Sequence, residues 1–199
     1  VDGAPTVPLL ILDRDGVINE DSDDYIRSPA QWRPLPGSIE AIADLSRAGY
    51  IIAIATNQSG LARGYLGLDE LEAIHAMLCS QVEEAGGHIA GIFYCPHLPD
   101  AGCGCRKPAT GLLTAMAAEL GLSPRGAIFI GDSLKDLQAA RSFGCRPVLV
   151  KTGKGTDTHR VLLSGEAALA DSTDIAVYDD LASAARDILR EQPAPKSDT

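Results

Sequence analysis

The sequence predicts a three-layer α/β fold, a mainly parallel sheet with helices on both faces, in one domain over residues 1–191. Three observations lead there. Short apolar runs alternate with segments of helical periodicity, the order that strand–helix–strand units require. The runs are apolar throughout rather than every second residue, as in strands covered on both faces. The chain has 199 residues, 45% of them hydrophobic, which is enough for one complete core without disulfides.

Leu9-Leu10-Ile11-Leu12 is the first buried strand. Ile39, Ile42 and Leu45 recur at helical spacing, with Gly49 as the stop. Ile51 to Ala55 is the second strand, and Leu71, Ile74, Leu78 and Val82 trace one face of a helix ending near Gly86-Gly87. Ile89 to Tyr94 reads as a strand, followed by a Pro- and Gly-rich stretch to Gly111 and a helix from Leu112 to Leu120. Ala127 to Ile130 is a strand, Leu134 to Phe143 a helix, and Pro147 to Val150 a strand. Thr152 to Ser172 has no clear pattern; Ile175 to Tyr178 and Leu181 to Leu189 supply a last strand and helix. The polar, Pro-rich residues 192–199 read as a disordered tail.

No apolar run reaches the roughly 20 residues of a membrane span. Val1 to Val7 carries Asp2 and no basic start, unlike a signal peptide. The expectation is a cytoplasmic monomer with no membrane partner. A net charge of −10 argues against a nucleic-acid partner, which would call for a basic face. The five cysteines are unevenly spread: Cys95, Cys103 and Cys105 crowd together, whereas Cys79 and Cys145 sit alone in apolar patterns and read as buried hydrophobes.

In open parallel sheets, ligands bind beyond the carboxyl ends of the strands. Three strands deliver polar residues to that edge: Asp13-Arg14-Asp15-Gly16, Thr56-Asn57-Gln58-Ser59-Gly60 and Gly131-Asp132-Ser133. Asp13, Asp15 and Asp132 are hard oxygen donors of the kind Mg²⁺ takes alongside water and a substrate phosphate. Taken singly, Asp13 could equally cap a turn and Asp132 a helix. Lys107, in Cys105-Arg106-Lys107-Pro108, would place a fixed cation near the carboxylates. Cys95-Pro96-His97 and Cys103-Gly104-Cys105 offer three thiolates and one imidazole, a closed tetrahedral set for a structural Zn²⁺. Such a site would stiffen the irregular loop that carries Arg106 and Lys107.

These four segments, spanning roughly Leu9 to Val150, resemble the signature of the haloacid dehalogenase (HAD) superfamily, a Rossmann-like fold. The resemblance implies Asp13 as a nucleophile that forms a phosphoaspartate and Asp15 as the general acid and then base. It implies Thr56 and Lys107 as phosphoryl-binding residues, and Asp13, the Asp15 main-chain carbonyl and Asp132 as Mg²⁺ ligands supported by Asp136. An acid at Asp15 favours hydrolysis, since members that keep their phospho-enzyme for transport lack it.

The run DRDG, TNQSG, CPH…CxCRKP and GDS is similar to a zinc-containing branch that includes heptose-bisphosphate and histidinol-phosphate phosphatases. NQSGLARG and LVKTGKG look like the heptose members, which act on the route to nucleotide-activated heptose of surface glycans. The short zinc loop is similar to the histidinol ones. The implied partner is a small phosphorylated sugar, with Arg14, Asp21, Asn57, Gln58, Ser59, Arg106 and Ser133 as substrate-binding residues. Arg106 would clamp the phosphate that does not react. Ser133 departs from the heptose pattern, which has Lys there. Val17 to Gly37 leaves room only for a minimal cap, in which Tyr25 and Trp32 could stack on a sugar or equally pack a loop onto the core.

Overall fold

Six strands pair side by side, all parallel, in the computed structural model, which describes residues 8–123, 126–166 and 174–191. They are β1 (Leu9–Leu12), β2 (Ile51–Asn57), β3 (Gly91–Cys95), β4 (Ile128–Gly131), β5 (Arg146–Val150) and β6 (Ala176–Tyr178). Their order is β3-β2-β1-β4-β5-β6, so the chain winds outward in one direction from β1 and then in the other from β4. The crevice between β1 and β4 is the topological switch point, where such sheets bind ligands.

Alternate strand residues face opposite layers. Leu10, Leu12, Ile52, Ile54, Ile128 and Ile130 join the core under α1 (Ser38–Arg47), α2 (Leu68–Glu84) and α6 (Leu181–Glu191). Leu9, Ile11, Ala53, Ala55 and Phe129 pack under α3 (Gly111–Leu120) and α4 (Leu134–Phe143). A third cluster joins Leu137 and Leu149 to Leu162 of α5 (Gly155–Ser164).

Helix α5 lies where the sequence showed no pattern. Its inward positions are Gly155, Thr158 and Leu162, of which only Leu162 is a large hydrophobe, so the apolar period is broken. Thr158 is buried because its hydroxyl donates to the Asp132 carbonyl at 2.8 Å. Strand β3 starts two residues later than expected and runs on to Cys95; Ile89 is buried just ahead of it. The expected disordered tail lies outside the described residues. Among those described, no helix is long and apolar enough to cross a membrane.

Between β1 and α1 the chain forms only a small flap with one 3₁₀ turn, Pro29–Gln31. It is tied by Glu20 N to the Arg33 carbonyl (2.9 Å) and Leu35 N to the Ile18 carbonyl (2.9 Å). Trp32 anchors the flap into the core at 2% exposure, which is the packing role of the two the sequence left open, and it is not available to stack on a sugar. Tyr25, by contrast, lines the cleft described next and packs on Tyr65 at 5.2 Å between ring centroids.

Candidate active site

A cleft of about 390 Å³ opens over the switch point. The end of β1 brings Asp13 and Asp15 there, β2 brings Thr56, Asn57, Gln58 and Ser59, and β4 brings Asp132 and Ser133. Asp21 comes from the flap, and Arg106 and Lys107 from the loop after β3. All of these line the cleft.

Lys107 is 2% exposed, and its ammonium meets three oxygens: Asp13 Oδ1 at 2.9 Å, Asp136 Oδ1 at 2.6 Å and the Ala55 carbonyl at 2.7 Å. Burial opposes its charge, but Asp13 and Asp136 outweigh that and hold the ammonium above its ordinary range. Its backbone is fixed as well. Lys107 N donates to Asn57 Oδ1 (3.1 Å), and Asn57 Nδ2 donates to the Lys107 carbonyl (3.2 Å). Asn57, expected to bind substrate, therefore spends both ends of its amide on pinning the loop.

The buried ammonium pairs with two of three crowded carboxylates. Oxygens of Asp13, Asp132 and Asp136 lie within 4.8 Å of one another. Burial raises Asp13 to about 7 against the pull of Lys107, and Asp136 adds to the rise. Burial also raises Asp132 to about 8, with Asp13 and Asp136 adding to it. Such crowding fits a site for a hard cation, which would restore the charged forms. Asp136 is occupied otherwise: Oδ1 pairs with Lys107, and Oδ2 accepts from Ser133 N (3.0 Å) and Ser133 Oγ (2.6 Å). Ser133, expected to bind substrate, thus gives both its backbone N–H and its hydroxyl to Asp136 in the first turn of α4 while bordering the cleft.

Backbone approach sets the position of Asp132. Gly16 and Gly153 both have positive φ (85° and 54°), and a Cβ on either would stand 2.1 or 2.2 Å from Asp132 Oδ2. Only glycine admits the carboxylate at these two places. The same oxygen accepts from Lys154 N at 2.8 Å, and Lys154 Nζ reaches Asp21 at 3.1 Å across the cleft. Sequence reasoning quoted Lys154 in its motif but gave it no place in the site. It lies just past the end of β5, and the strand-end rule would have flagged it.

Asp15 lines the same cleft but is not part of the three-acid cluster. Its oxygens accept from Asn19 Nδ2 (2.9 Å), Gln58 Nε2 (2.8 Å) and the Arg14 guanidinium (3.0 Å to each oxygen). Burial raises its pKa, but Arg14 and the hydrogen bonds from Asn19 and Gln58 lower it further, so the net shift is downward. Gln58 also donates to Thr56 Oγ1 at 2.9 Å. Arg14 is a correction: expected to bind substrate, it has no exposure and does not line the cleft, because its donors are turned onto Asp15 and His75. His75 itself went unnoticed in the sequence, where it sits inside the apolar pattern of α2 with no motif around it.

Beside the cleft, Cys95, His97, Cys103 and Cys105 converge. The sulfurs are 3.2, 3.6 and 3.7 Å apart, and His97 Nδ1 is 3.5 and 3.2 Å from Cys95 and Cys105. These are too long for disulfides and close to the ~3.8 Å edge of a tetrahedron with Zn–S bonds of about 2.3 Å. The chemistry and spacing of the donors fit zinc, with Nδ1 as the imidazole donor.

Comparison with known proteins agrees with this layout. Residues 104–184 match the family model described as HAD-hydrolase-like. The D-glycero-beta-D-manno-heptose-1,7-bisphosphate 7-phosphatase of Pseudomonas putida is 52% identical over 91% of this chain and 99% of its own length. The Pseudomonas aeruginosa protein of the same name is 54% identical over 92% and 98%. The crystal structure of D,D-heptose 1,7-bisphosphate phosphatase from B. bronchiseptica, complexed with magnesium and phosphate, superposes with a TM-score of 0.85 at 44% identity. It covers 93% of this chain and 99% of that one. Relatives of this identity over nearly the full length of both chains show the family, and the chain belongs to the D-glycero-beta-D-manno-heptose-1,7-bisphosphate 7-phosphatase family of HAD-like hydrolases.

Proposed function

We propose that this chain hydrolyses the 7-phosphate of D-glycero-β-D-manno-heptose 1,7-bisphosphate through a phosphoaspartate on Asp13, leaving heptose 1-phosphate for nucleotide activation. The observation that carries the reaction is Asp13 at the switch point, 2.9 Å from a buried Lys107 and among acids suited to a cation. The relatives' names narrow the substrate.

The Asp13 carboxylate attacks phosphorus from the cleft floor while Thr56 and Lys107 hold the equatorial oxygens. Asp15 gives a proton to the departing sugar oxygen. The incoming phosphoryl group places negative charge beside Asp15, opposing Arg14 and raising the carboxyl towards its protonated form. Asp15 then takes a proton from the water that opens the phosphoaspartate. Asp13, the Asp15 carbonyl and Asp132 would hold Mg²⁺, which offsets phosphoryl charge when bound. Asp136 keeps Lys107 and the start of α4 in place. Cys95, His97, Cys103 and Cys105 would hold a structural Zn²⁺.

Arg106 stands at the cleft rim with Nη1 on the His97 carbonyl at 3.2 Å, its other donors free to grip the 1-phosphate. Arg106→Ala is expected to raise KM for the bisphosphate about tenfold or more, the usual worth of a charged hydrogen bond. It should leave KM for heptose 7-phosphate nearly unchanged; an equal rise for both substrates would remove Arg106 as the clamp.

The deciding assay is phosphate release with Mg²⁺ present or chelated. It compares both anomers of the heptose bisphosphate with histidinol phosphate and a 3′-phosphorylated oligonucleotide. Preference for the β-anomer, lost on chelation and regained with Mg²⁺, is the expected result. Weak release from all four would leave the phosphatase chemistry and remove the heptose assignment.

A further inference from the structure

Arg14 lies deep beside the site without touching the cleft, and its guanidinium is held at both ends. Nε and Nη2 donate to the two oxygens of Asp15, each at 3.0 Å, while Nη1 lies 3.2 Å from Nε2 of His75 on α2. Arginine has no lone pair to offer and keeps its proton, so this contact requires His75 Nε2 to accept. The imidazole is then neutral, with its proton on Nδ1. Burial and the neighbouring Arg14 charge agree, holding His75 down to about 4. The Tyr94 ring of β3, 5.9 Å away and tilted by 54°, packs against the imidazole.

We propose that His75 is a positioning residue for the leaving-group step: by accepting from Arg14 Nη1 it fixes the guanidinium plane, and through it the aim of the Asp15 carboxyl. This rests on the reading of Asp15 as general acid. A guanidinium gripped along one edge alone can swing about its own stem and carry the carboxyl with it; a second grip at Nη1 stops that rotation. His75 does not line the cleft, so its effect passes through Arg14 and not through substrate.

The step affected is specific. As the Asp13 oxygen–phosphorus bond forms, the bond from phosphorus to the sugar oxygen breaks. Its electron pair goes to that oxygen, which takes the Asp15 proton. A sugar alkoxide is strongly basic and needs the proton, whereas p-nitrophenolate leaves without one. Misaiming Asp15 therefore slows phosphoryl transfer from the sugar phosphate and spares that from the aryl phosphate. Hydrolysis of the phosphoaspartate, which Asp15 assists as base, is common to both. General loosening of the site slows both transfers.

The test compares wild type, Asp15→Asn, His75→Phe and His75→Gln on the heptose bisphosphate and on p-nitrophenyl phosphate, with Mg²⁺ saturating. The readout is the ratio of the two kcat/KM values, which report the reaction only as far as release of the leaving group; taken on one sample, it cancels any misfolded fraction. Asp15→Asn should lower the sugar-to-aryl ratio strongly. His75→Phe, which fills the space but accepts nothing, should lower kcat/KM for the sugar phosphate and the ratio about tenfold. His75→Gln, which offers an acceptor oxygen, should recover most of the loss. If Asp15→Asn lowers the ratio and His75→Phe leaves it at the wild-type value, the inference falls alone; a ratio that His75→Gln leaves as low as His75→Phe also overturns it. If Asp15→Asn itself leaves the ratio unchanged, the reading of Asp15 as the acid falls, and the inference with it.

Discussion

Asp13→Asn is expected to lower turnover of the heptose bisphosphate by about 10⁴-fold or more, the scale seen when a covalent nucleophile is removed. An amide does not attack phosphorus, and no neighbouring group can replace Asp13. Asp132 is held by Gly16, Gly153 and the Lys154 amide, and Asp136 by Lys107 and Ser133. Asp15 is turned onto Arg14. The fold should survive and in one condition gain. Without Mg²⁺ at neutral pH the charged Asp13 opposes folding. Burial first, and then the neighbouring Asp136, raises it to about 7 against the pull of Lys107. Burial with Asp13 and Asp136 raises Asp132 to about 8. Lys107 loses one partner in the variant but retains Asp136 at 2.6 Å and the Ala55 carbonyl at 2.7 Å. Metal-free Asp13→Asn should therefore melt no lower than wild type, and added Mg²⁺ should raise the melting temperature of wild type by more than that of the variant. Residual turnover near the wild-type value would remove Asp13 as nucleophile. A melting temperature well below wild type without Mg²⁺ would show that the Lys107 ion pair outweighs burial and repulsion together.

How much of this was legible in the sequence depends on where each residue's partner lies. The buried strands were plain because Leu9–Leu12 and Ile128–Gly131 are covered on both faces, so every side chain there is selected in the same direction. The acids were plain because a sheet of this kind exposes its strand ends, and Asp13, Thr56 and Asp132 all lie within two residues of one. Helix α5 was hidden because its inward Thr158 is satisfied by the Asp132 carbonyl, a bond across 26 residues that no local period records. Arg14 was misplaced for a related reason. The resemblance implied a place for it in the cleft, but a residue next to an inward-pointing one faces the other way, and there His75, 61 residues on, receives it. Asn57 and Ser133 border the cleft as expected, yet their hydrogen bonds belong to Lys107 and Asp136. Position at a strand end thus indicates nearness to a site, while the use of a polar side chain is decided by partners that only the fold assembles.

Cys105→Ser is expected to lower zinc content from one per chain to well below half and to reduce the melting temperature by about 5–10 °C. That range follows from a loss of a few kcal/mol, typical of a broken structural metal site, spread over a domain of this size. The reason lies in what the four ligands join. Cys95 is the last residue of β3, and Cys103 and Cys105 sit just before Arg106 and Lys107. A metal there closes a loop that has no regular structure of its own. The effect on chemistry should be uneven. Lys107 keeps its anchors to Asn57, Ala55, Asp13 and Asp136 whatever happens to the metal, so kcat below the melting range should stay within about tenfold of wild type. Among the described residues the Arg106 side chain is hydrogen-bonded only to the His97 carbonyl, and His97 is one of the proposed ligands, so loss of zinc should free the guanidinium and raise KM for the bisphosphate. The checks are zinc analysis, thermal melting, and steady-state kinetics on the bisphosphate and on heptose 7-phosphate. Unchanged zinc stoichiometry would sink the four-ligand assignment. A collapse of kcat with KM unchanged would mean that the metal, rather than Asn57 and the acids, fixes Lys107.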